Sequence, residues 1–234
     1  GDMDVSSENG LAFGIYATTN AGDISVINYG DLTTNSSKYV AGGIIAVSIS
    51  GDTSVTNTGD LDSTSTDSQA IGIVAVSAFN TATVNNSGDI TATSDNSAIG
   101  IYTYSTYASS ITNSGDITVS AGSSPAKGLD AYVQGYGTST INNTGAISVS
   151  VSGYNTAAGI YSITQDGDTN ITNGTKAINV SSEYGTALGI SADSYSGDIT
   201  IGSNGAITVN GYSVAGMAAS AGYYREYGGS IGNV

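Results

Sequence analysis

Positions 111–117 read Ile-Thr-Asn-Ser-Gly-Asp-Ile, and variants of this phrase recur eight times at intervals of 27 to 31 residues. An aliphatic residue stands two before an Asn in every copy except the seventh, where Ile201 precedes Asn204 by three, and the last, degraded copy lies at Ile231 and Asn233. A second phrase runs in phase with the first, a Gly followed by an apolar residue, as in Gly100 and Ile101. A fixed period of this length is the signature of a solenoid. The sequence therefore predicts a stack of similar coils rather than a domain built around a pocket.

The composition restricts the classes of function open to this chain. Its 234 residues include 19 Asp and Glu but only four Lys and Arg, which gives a formal net charge of −15. Such a field repels phosphate backbones and anionic lipids, so we expect no nucleic-acid partner. No stretch approaches the ~20 apolar residues that span a bilayer, so we expect no membrane insertion. The abundance of Ser, Thr, Asn, Gly and Tyr with little charge favours an extracellular or cell-surface location on a bacterium.

Three short runs in which apolar residues alternate recur within each repeat, and a period of two is that of β-strands. The first run follows the Gly-Asp corner, where Ile117 and Val119 face one way. In the second run, we interpret Gly100 as a corner or bulge that lets both Ala98 and Ile101 point inward. The third run ends at the Asn. Three strands in about 29 residues predict an all-β, single-stranded parallel β-helix, right-handed by the general preference of parallel crossovers.

Differences in repeat length are expected to fall in one set of loops, between the first two runs. Thr33 to Tyr39, Thr93 to Ser97 and Ala121 to Pro125 are polar stretches at that position. The sole proline, Pro125, fits such a loop because no ladder hydrogen bond is required there.

The repeat fills the whole chain, so residues 1–234 are predicted to form one continuous β-solenoid domain of eight repeats. Gly1 to Val5 matches the residues that follow Asn-x-Gly, and Ile231 to Val234 stops just before that Gly. The two ends would join in register, and neither carries a cap. An uncapped solenoid presents open strand edges that template pairing. The expected partner is another copy, stacked head to tail or packed laterally, or further repeats of a longer chain.

The Asn that ends the third run is interpreted as structural. Identical Asn side chains stacked one coil apart can hydrogen-bond to one another in a ladder. The predicted ladder contains Asn28, Asn57, Asn86, Asn113, Asn143 and Asn173.

An acidic column occupies the corner after that Asn in five successive repeats. It contains Asp2, Asp31, Asp60, Asp89 and Asp116, after which Ala takes over. Unit charges about 5 Å apart repel by about 1 kcal/mol in water, so the column is either a solvated stripe or a set of carboxylates bridged by divalent cations such as Ca²⁺. The Gly-Gly-x-Gly-x-Asp motif of calcium rolls is absent from the sequence. Apart from this candidate calcium site, the sequence predicts no cofactor.

Tyrosine outnumbers phenylalanine sixteen to two, and many of the tyrosines fall at outward or loop positions. Exposed Tyr supplies contact area with a hydrogen-bonding end, which is typical of interfaces and sugar-binding surfaces. The candidate interface residues are Tyr102, Tyr104, Tyr107, Tyr223, Tyr224 and Tyr227. Lateral packing, adhesion or binding of surface glycans would use them, and a purely structural Tyr ladder is the competing interpretation.

Catalysis is not expected of this chain. Because it contains neither Cys nor His, a Ser nucleophile would lack its usual base. Parallel β-helices do host polysaccharide lyases and hydrolases that use paired carboxylates, and Asp168 and Asp198 lie one repeat apart. Asp23 and Asp52 repeat that spacing, so we attribute it to architecture. The chain is predicted not to be an enzyme, and a carbohydrate-binding or carbohydrate-cleaving β-helix is the alternative.

The iterated phrase of residues 111–117, preceded in its repeat by Ala-Ile-Gly-Ile at 98–101, resembles the passenger repeats of Gram-negative autotransporters and haemagglutinin-like surface proteins. The resemblance covers essentially the whole chain. It implies a right-handed β-helix displayed or released at the cell surface, commonly in adhesion, aggregation or biofilm matrix. We therefore expect a non-enzymatic structural or adhesive rod, a surface stalk or matrix component. A subunit that assembles head to tail into a filament or surface layer is the structural alternative.

Overall fold

The computed structural model describes residues 1–222. Predictions for Tyr223, Tyr224, Tyr227 and the last repeat phrase at Ile231 and Asn233 therefore lie outside the described residues. Residues 1–222 form 23 β-strands that pair in parallel and wind into a solenoid of about eight turns. This result confirms the predicted all-β parallel β-solenoid with three strands per coil.

The strands are numbered in chain order, with three in each of the first seven coils. Coils 1–4 contain β1 (Met3–Ser7), β2 (Ala12–Thr19), β3 (Ile24–Asn28), β4 (Leu32–Ser36), β5 (Ala41–Ser48), β6 (Thr53–Asn57), β7 (Leu61–Ser65), β8 (Gln69–Ser77), β9 (Thr81–Asn86), β10 (Ile90–Ser94), β11 (Ser97–Ser105) and β12 (Ala108–Asn113). Coils 5–8 contain β13 (Ile117–Ala121), β14 (Ala126–Val133), β15 (Ser139–Asn143), β16 (Ile147–Val151), β17 (Ala157–Thr164), β18 (Thr169–Asn173), β19 (Ile178–Ser182), β20 (Thr186–Ser194), β21 (Ile199–Ser203), β22 (Ile207–Asn210) and β23 (Ser213–Ala221).

Each coil contributes its first strand to sheet A, its second to sheet B and its third to sheet C. Over the described residues, sheets A and B have eight strands each and sheet C has seven. Equivalent residues pair across the coils, as Ile90 does with Ile117 in sheet A and Ile111 with Ile141 in sheet C. Because neighbouring strands lie about 4.8 Å apart, every column of the sequence repeat becomes a column of side chains along the rod.

The inward columns of the three sheets form one continuous core. Ile117 of sheet A, Ile101 of sheet B and Ile111 of sheet C are at most 1% exposed. The buried cluster extends along the rod from Ile24 to Ile199. Burial of such a side chain contributes roughly 1.5–3 kcal/mol. Since each coil adds its own set, the stabilising contacts are distributed along the rod axis.

A glycine column in sheet B allows the core to close against sheet A. At Gly100 an added Cβ would lie 2.6 Å from the carbonyl O of Gly128 and 2.7 Å from Cγ2 of Ile117. The Ile of sheet A therefore fills the space that a side chain at the Gly would need. Ala98 and Ile101, on either side of the Gly, are both fully buried, which confirms that the Gly lets both point inward.

The polar stretches expected to be loops between sheets A and B are partly strand, which corrects that prediction. Strands β4, β10 and β13 continue through Ser36, Ser94 and Ala121. A buried Ser is tolerated there because it is hydrogen-bonded. Oγ of Ser36 donates to the carbonyl O of Gly10 at 2.9 Å and accepts the N–H of Tyr39 at 3.1 Å. A Ser-rich segment that looks like a loop can therefore form the buried end of a strand.

Two of the three corners range from two to five residues in length, whereas the sequence predicts length differences at one. The corner between sheets B and C ranges from two residues after Ser105 to five after Val133. The corner between sheets C and A has three residues in each described coil except the one after Asn173, where it has four. This nearly constant corner carries the Asn and Asp columns, whose hydrogen bonds join it to the neighbouring coils.

Candidate functional site

The Asn column is buried and hydrogen-bonded along its length. Asn86 is 3% exposed, and its Nδ2 donates to the carbonyl O of Gly88 at 2.7 Å and to Oδ1 of Asn113 at 2.8 Å. The same bond from coil to coil, at 2.7 or 2.8 Å, joins Asn28 to Asn57, Asn57 to Asn86, Asn113 to Asn143 and Asn143 to Asn173. Because these bonds lie inside the solenoid, the column stabilises the corner rather than a ligand.

The five Asp residues of the acidic column are exposed, and each binds the coil that follows it. Asp89 donates its backbone N–H to Oδ1 of Asp60 at 2.8 Å. Equivalent bonds join Asp31 to Asp2 at 3.2 Å, and Asp60 to Asp31, Asp116 to Asp89 and Ala146 to Asp116 at 2.8 Å. The carboxylates thus satisfy backbone donors at the corner, where the turn leaves those donors without a ladder partner.

The carboxylates considered for carbohydrate cleavage repeat this arrangement at the corner between sheets B and C. Asp198 donates its backbone N–H to Oδ1 of Asp168 at 2.9 Å. Asp52 donates to Oδ1 of Asp23 at the same distance. The shared contact explains the spacing of Asp168 and Asp198 without a catalytic role.

A calcium site on the acidic column would need ligands beyond the column itself. Ca²⁺ takes six to eight oxygen ligands. Within residues 1–222, no group of three or more His, Cys, Asp or Glu side chains is placed to hold a metal ion. Bridging of Asp60 and Asp89 would rely on the second oxygen of each carboxylate and on water. Calcium binding by this column stays a prediction.

The outward side of sheet B is chemically different from the outward sides of sheets A and C. Ser, Thr and Asn predominate on sheets A and C, whereas sheet B presents apolar and aromatic side chains. We call this surface the sheet B face. From coil 1 to coil 8, its outward positions are Phe13, Tyr16, Thr18, Gly42, Ile45, Val47, Ile71, Val74, Val76, Ile99, Tyr102, Tyr104, Lys127, Asp130, Tyr132, Ala158, Tyr161, Ile163, Leu188, Ser191, Asp193, Ala215, Ala218 and Ser220. A contiguous apolar surface on the outside of a protein is typical of an interaction site.

Two of the predicted interface tyrosines lie on the sheet B face. Tyr102 and Tyr104 point outward from β11, and the Tyr104 ring stacks on Tyr132 of the next coil, with centroids 5.5 Å apart and planes 3° apart. The Tyr104 hydroxyl donates to Oε1 of Gln134. Tyr107 is 59% exposed at the corner between sheets B and C, so it does not join this group.

A charged pair lies within the apolar surface of the sheet B face. Nζ of Lys127 lies 2.8 Å from Oδ2 of Asp130 and 4.1 Å from the ring centroid of Tyr161. Asp130 is 5% exposed, and burial raises the pKa of its carboxyl, although Lys127 lowers it. A regular strand would place residues three apart on opposite faces. The irregular backbone at Gly128 places both outward, which is why the sequence pattern did not reveal the pair.

Burial raises the pKa of two tyrosines on this face. It raises the pKa of Tyr102 to about 12, with a further contribution from the charge of Asp130. The pKa of Tyr161 is raised by burial and then by the charges of Asp193 and Asp130. The pKa of Asp193 is raised by burial as well. The hydroxyls of Tyr102 and Tyr161 therefore remain protonated hydrogen-bond donors at neutral pH.

The sheet B face offers contact area. Its polar groups are tyrosine hydroxyls, the Lys127 and Asp130 pair, Asp193, and a few Ser and Thr residues, and the chain contains no His or Cys. Among residues 1–222 there is no helix with the length and apolar character to cross a membrane. Tyr16 is exposed and most other apolar side chains of the face are half-buried, whereas Ile45, Ile71 and Ala158 are buried. Covering the half-buried apolar area would favour binding.

Comparison with known proteins gives one match. The family model described as the BigA third pectate lyase-like domain matches residues 80–233, about two thirds of the chain. Neither the search of curated proteins nor the search of solved structures gave a significant match. The matched range includes coils 4–7 and most of the charged and aromatic part of the sheet B face.

Proposed function

The chain belongs to the family of the BigA third pectate lyase-like domain, and from that premise we propose that it is a stiff, non-catalytic rod of a bacterial surface protein whose copies adhere side by side through the sheet B face. The coil stack supplies the rod. The apolar outward columns of sheet B supply the adhesive surface.

The observation that carries the proposal is the contrast between the sheet B face and the rest of the rod. Its outward positions include Val74, Val76 and the stacked rings of Phe13 and Tyr16, whose centroids lie 5.2 Å apart. Only three of its positions are charged, one Lys and two Asp, in a chain with 19 acidic residues. The outward positions of sheet C carry no charged residue and those of sheet A only Asp4 and Asp62, so apolar side chains rather than low charge distinguish the sheet B face.

The size of the face suits a protein interface. Eight strands at about 4.8 Å, and six residues across at about 3.3 Å each, give an area of roughly 700 Å². A stable interface of standard size buries about 800 Å² on each partner. The sheet B face is therefore close to the size that one partner contributes to a standard interface.

Electrostatics predicts how this association depends on salt. Each copy carries a formal charge of −15, and unscreened copies repel one another. The screening length falls from about 30 Å at 0.01 M ionic strength to about 3 Å at 1 M. Because the attraction comes from apolar area, association should strengthen as salt increases. An adhesive contact made of ion pairs would show the opposite dependence.

The rod and the absence of catalysis rest on the regularity of the stack. Parallel pairing joins each coil to the next over residues 1–222, and eight coils give a height on the order of 40 Å. Catalytic sites on repeat folds interrupt the repeat where they sit, and the conspicuous carboxylates, such as Asp168, bind the backbone of a neighbouring coil. A cell-surface location is consistent with the family and with the hydroxyl-rich, acidic surface.

Head-to-tail stacking of copies through their strand edges is the alternative arrangement. Such stacking would use the strand edges and leave the sheet B face free.

Small-angle X-ray scattering of the purified chain over a concentration series separates the two arrangements. Lateral pairing predicts that the cross-sectional radius of the particle rises with concentration at high salt while its maximum dimension changes little. Head-to-tail stacking predicts a growing maximum dimension at constant cross-section. Scattering that shows the same monomeric rod at every concentration and salt would contradict the adhesive part of the proposal.

A further inference from the structure

A groove separate from the sheet B face runs along the corner between sheets A and B. It spans coils 5–8 and has a volume of about 910 Å³. Three tyrosines form one wall, Tyr154 after β16, Tyr184 after β19 and Tyr212 after β22. We call it the tyrosine groove. Its volume lies within the range of about 300–1,000 Å³ found for small-molecule sites.

The tyrosine rings follow one another at one-coil spacing and are largely open to solvent. The centroids of Tyr154 and Tyr184 lie 5.1 Å apart, with 29° between the ring planes. Tyr154, Tyr184 and Tyr212 are 80%, 50% and 90% exposed. Because Tyr154 and Tyr184 stack, their rings cover part of each other, and the carbon surface that stays exposed is free for a ligand. The wall is therefore an aromatic strip parallel to the rod axis.

The floor of the groove is a column of small polar side chains on the outward side of sheet A. Ser120 pairs in register with Ser150, Ser150 with Ser181, and Ser181 with Asn210. Oγ of Ser150 donates to Oγ of Ser120 at 3.3 Å, a long bond, and Ser181 and Asn210 are exposed. The floor therefore offers hydroxyl and amide groups at each coil, about 4.8 Å apart.

The charge of the groove selects against anions. Glu183 is the one charged residue among those that line it, and it lies beside Tyr184. A hydrogen bond to Glu183 and the charge of that carboxylate raise the pKa of the Tyr184 hydroxyl. The hydrogen bond to Glu183 thus holds Tyr184 in place, and the Tyr184 hydroxyl stays protonated. A carboxylate or sulfate group brought into the groove would meet Glu183 and the field of an acidic chain.

We propose that the tyrosine groove binds a neutral, unbranched oligosaccharide that lies along the rod axis with about one sugar per coil. A pyranose ring has an apolar carbon face and an edge of hydroxyl groups, which match the tyrosine wall and the Ser and Asn floor. The length of a sugar unit is similar to the spacing between coils. The two periods therefore stay in step over coils 5–8, about 14 Å at 4.8 Å per coil.

An extended peptide suits the groove less well. Peptides that add to a sheet pair with the backbone of an edge strand. The groove instead runs across β13, β16, β19 and β22, whose backbone groups already pair with one another. Only side chains face the ligand, so hydroxyl-rich ligands gain more than a peptide backbone does. This proposal is independent of pairing through the sheet B face, since the two surfaces use different residues.

Isothermal titration calorimetry with three probes of equal length tests the proposal. These are a linear glucose hexamer, a linear N-acetylglucosamine hexamer and a linear galacturonate hexamer. At least one neutral probe should bind with a Kd of about 1 mM or tighter, and the galacturonate probe should bind at least tenfold more weakly. Binding of galacturonate alone, or of no probe, overturns the proposal.

Variants locate the binding and control for folding. Tyr154→Ala and Tyr184→Ala should each lower the affinity for the neutral probe at least fivefold. Glu183→Gln should raise the affinity for the galacturonate probe. Tyr136→Ala, which removes an 85% exposed ring at another corner, should change neither. The thermal unfolding of each variant should match that of the wild type because these side chains are exposed. Unchanged affinity in the Tyr154 and Tyr184 variants, with normal unfolding, overturns the assignment of the site.

Discussion

Nδ2 of Asn86 lies 2.8 Å from Oδ1 of Asn113, its counterpart in the next coil. Both side chains are buried, at 3% and 1% exposed, and Asn86 also accepts a hydrogen bond at 2.8 Å from Asn57 in the preceding coil. One amide therefore links three coils. The repeat phrase recurs because each coil must offer the same donor and acceptor to its neighbours.

Replacing Asn86 with Ala should destabilise the solenoid by about 2–4 kcal/mol. The change removes three hydrogen bonds and takes the partner from one N–H of Asn57 and from Oδ1 of Asn113 in a buried site, which costs more than the bonds alone. Asn85→Ala is the matched control because Asn85 is the adjacent residue and faces solvent. It should change stability by less than about 0.5 kcal/mol. Denaturant unfolding measures both, and equal effects would contradict the ladder.

Replacing Gly100 with Ala should cost at least about 3 kcal/mol or prevent folding. The new Cβ would lie 2.6 Å from the carbonyl O of Gly128, and backbone cannot move aside as a flexible side chain can. Gly202→Ala is the control, since nothing lies within 4 Å of a Cβ at that position. It should leave the unfolding midpoint nearly unchanged. A Gly100→Ala variant as stable as the control would show that sheets A and B pack less tightly here.

Replacing Asp60 with Asn should leave the protein as stable as the wild type or more so at low salt. Asn keeps the acceptor for the N–H of Asp89 and removes one charge from a column of like charges. The difference should shrink as ionic strength rises towards 1 M. The wild type and Asp60→Asn also test whether Ca²⁺ binds the acidic column. If Ca²⁺ bridges its carboxylates, it will raise the melting temperature of the wild type more than that of Asp60→Asn. Equal shifts, with Mg²⁺ as the reference cation, would contradict bridging.

Asp130 should make stability fall as pH rises. Burial raises the pKa of this carboxyl above its ordinary value of 3.8, so the folded protein holds the proton more tightly than the unfolded chain does. The contribution of Asp130 is thus most favourable below pH 3.8 and declines as pH rises through the higher folded value. The unfolding free energy of the wild type minus that of Asp130→Asn should decrease over this range.

A control variant separates this effect from the general response of an acidic protein. Asp62→Asn removes an exposed carboxylate on sheet A, and its difference from the wild type should change less with pH. If the Asp130→Asn difference stays flat or increases with pH, Lys127 rather than burial governs the carboxyl.

The sequence was sufficient to predict the solenoid because columns such as the one that contains Asn86 repeat at a nearly fixed spacing. The sequence was also sufficient to predict that Gly100 lets Ala98 and Ile101 both point inward, since an apolar residue recurs on each side of this Gly in the repeat. The loops were predicted less well. Ser36 was assigned to a loop because small polar residues are common in turns, yet its hydrogen bonds allow it to end a buried strand.

The candidate sites were harder to predict because they depend on residues outside the repeat columns. Lys127 and Asp130 share a face only because Gly128 breaks the alternation between them. Tyr154 follows its strand by three residues, whereas Tyr184 and Tyr212 follow theirs by two, so no fixed spacing marks them as one group. Such contacts depend on loop conformation, which a periodic pattern does not specify.

The central claim, that copies adhere through the sheet B face, is tested most directly by sedimentation equilibrium at low and high salt. The double variant Val74→Thr with Val76→Thr replaces two outward methyl groups by hydroxyls and keeps the strand geometry. Ile27→Thr is the control, because Ile27 is a 56% exposed aliphatic residue on sheet C. We predict that the wild type and the control associate at about 1 M ionic strength and dissociate at about 0.01 M. The association constant of the double variant at high salt should be at least tenfold lower. A wild type that stays monomeric at high salt, or a double variant that associates as tightly as the control, would contradict the claim.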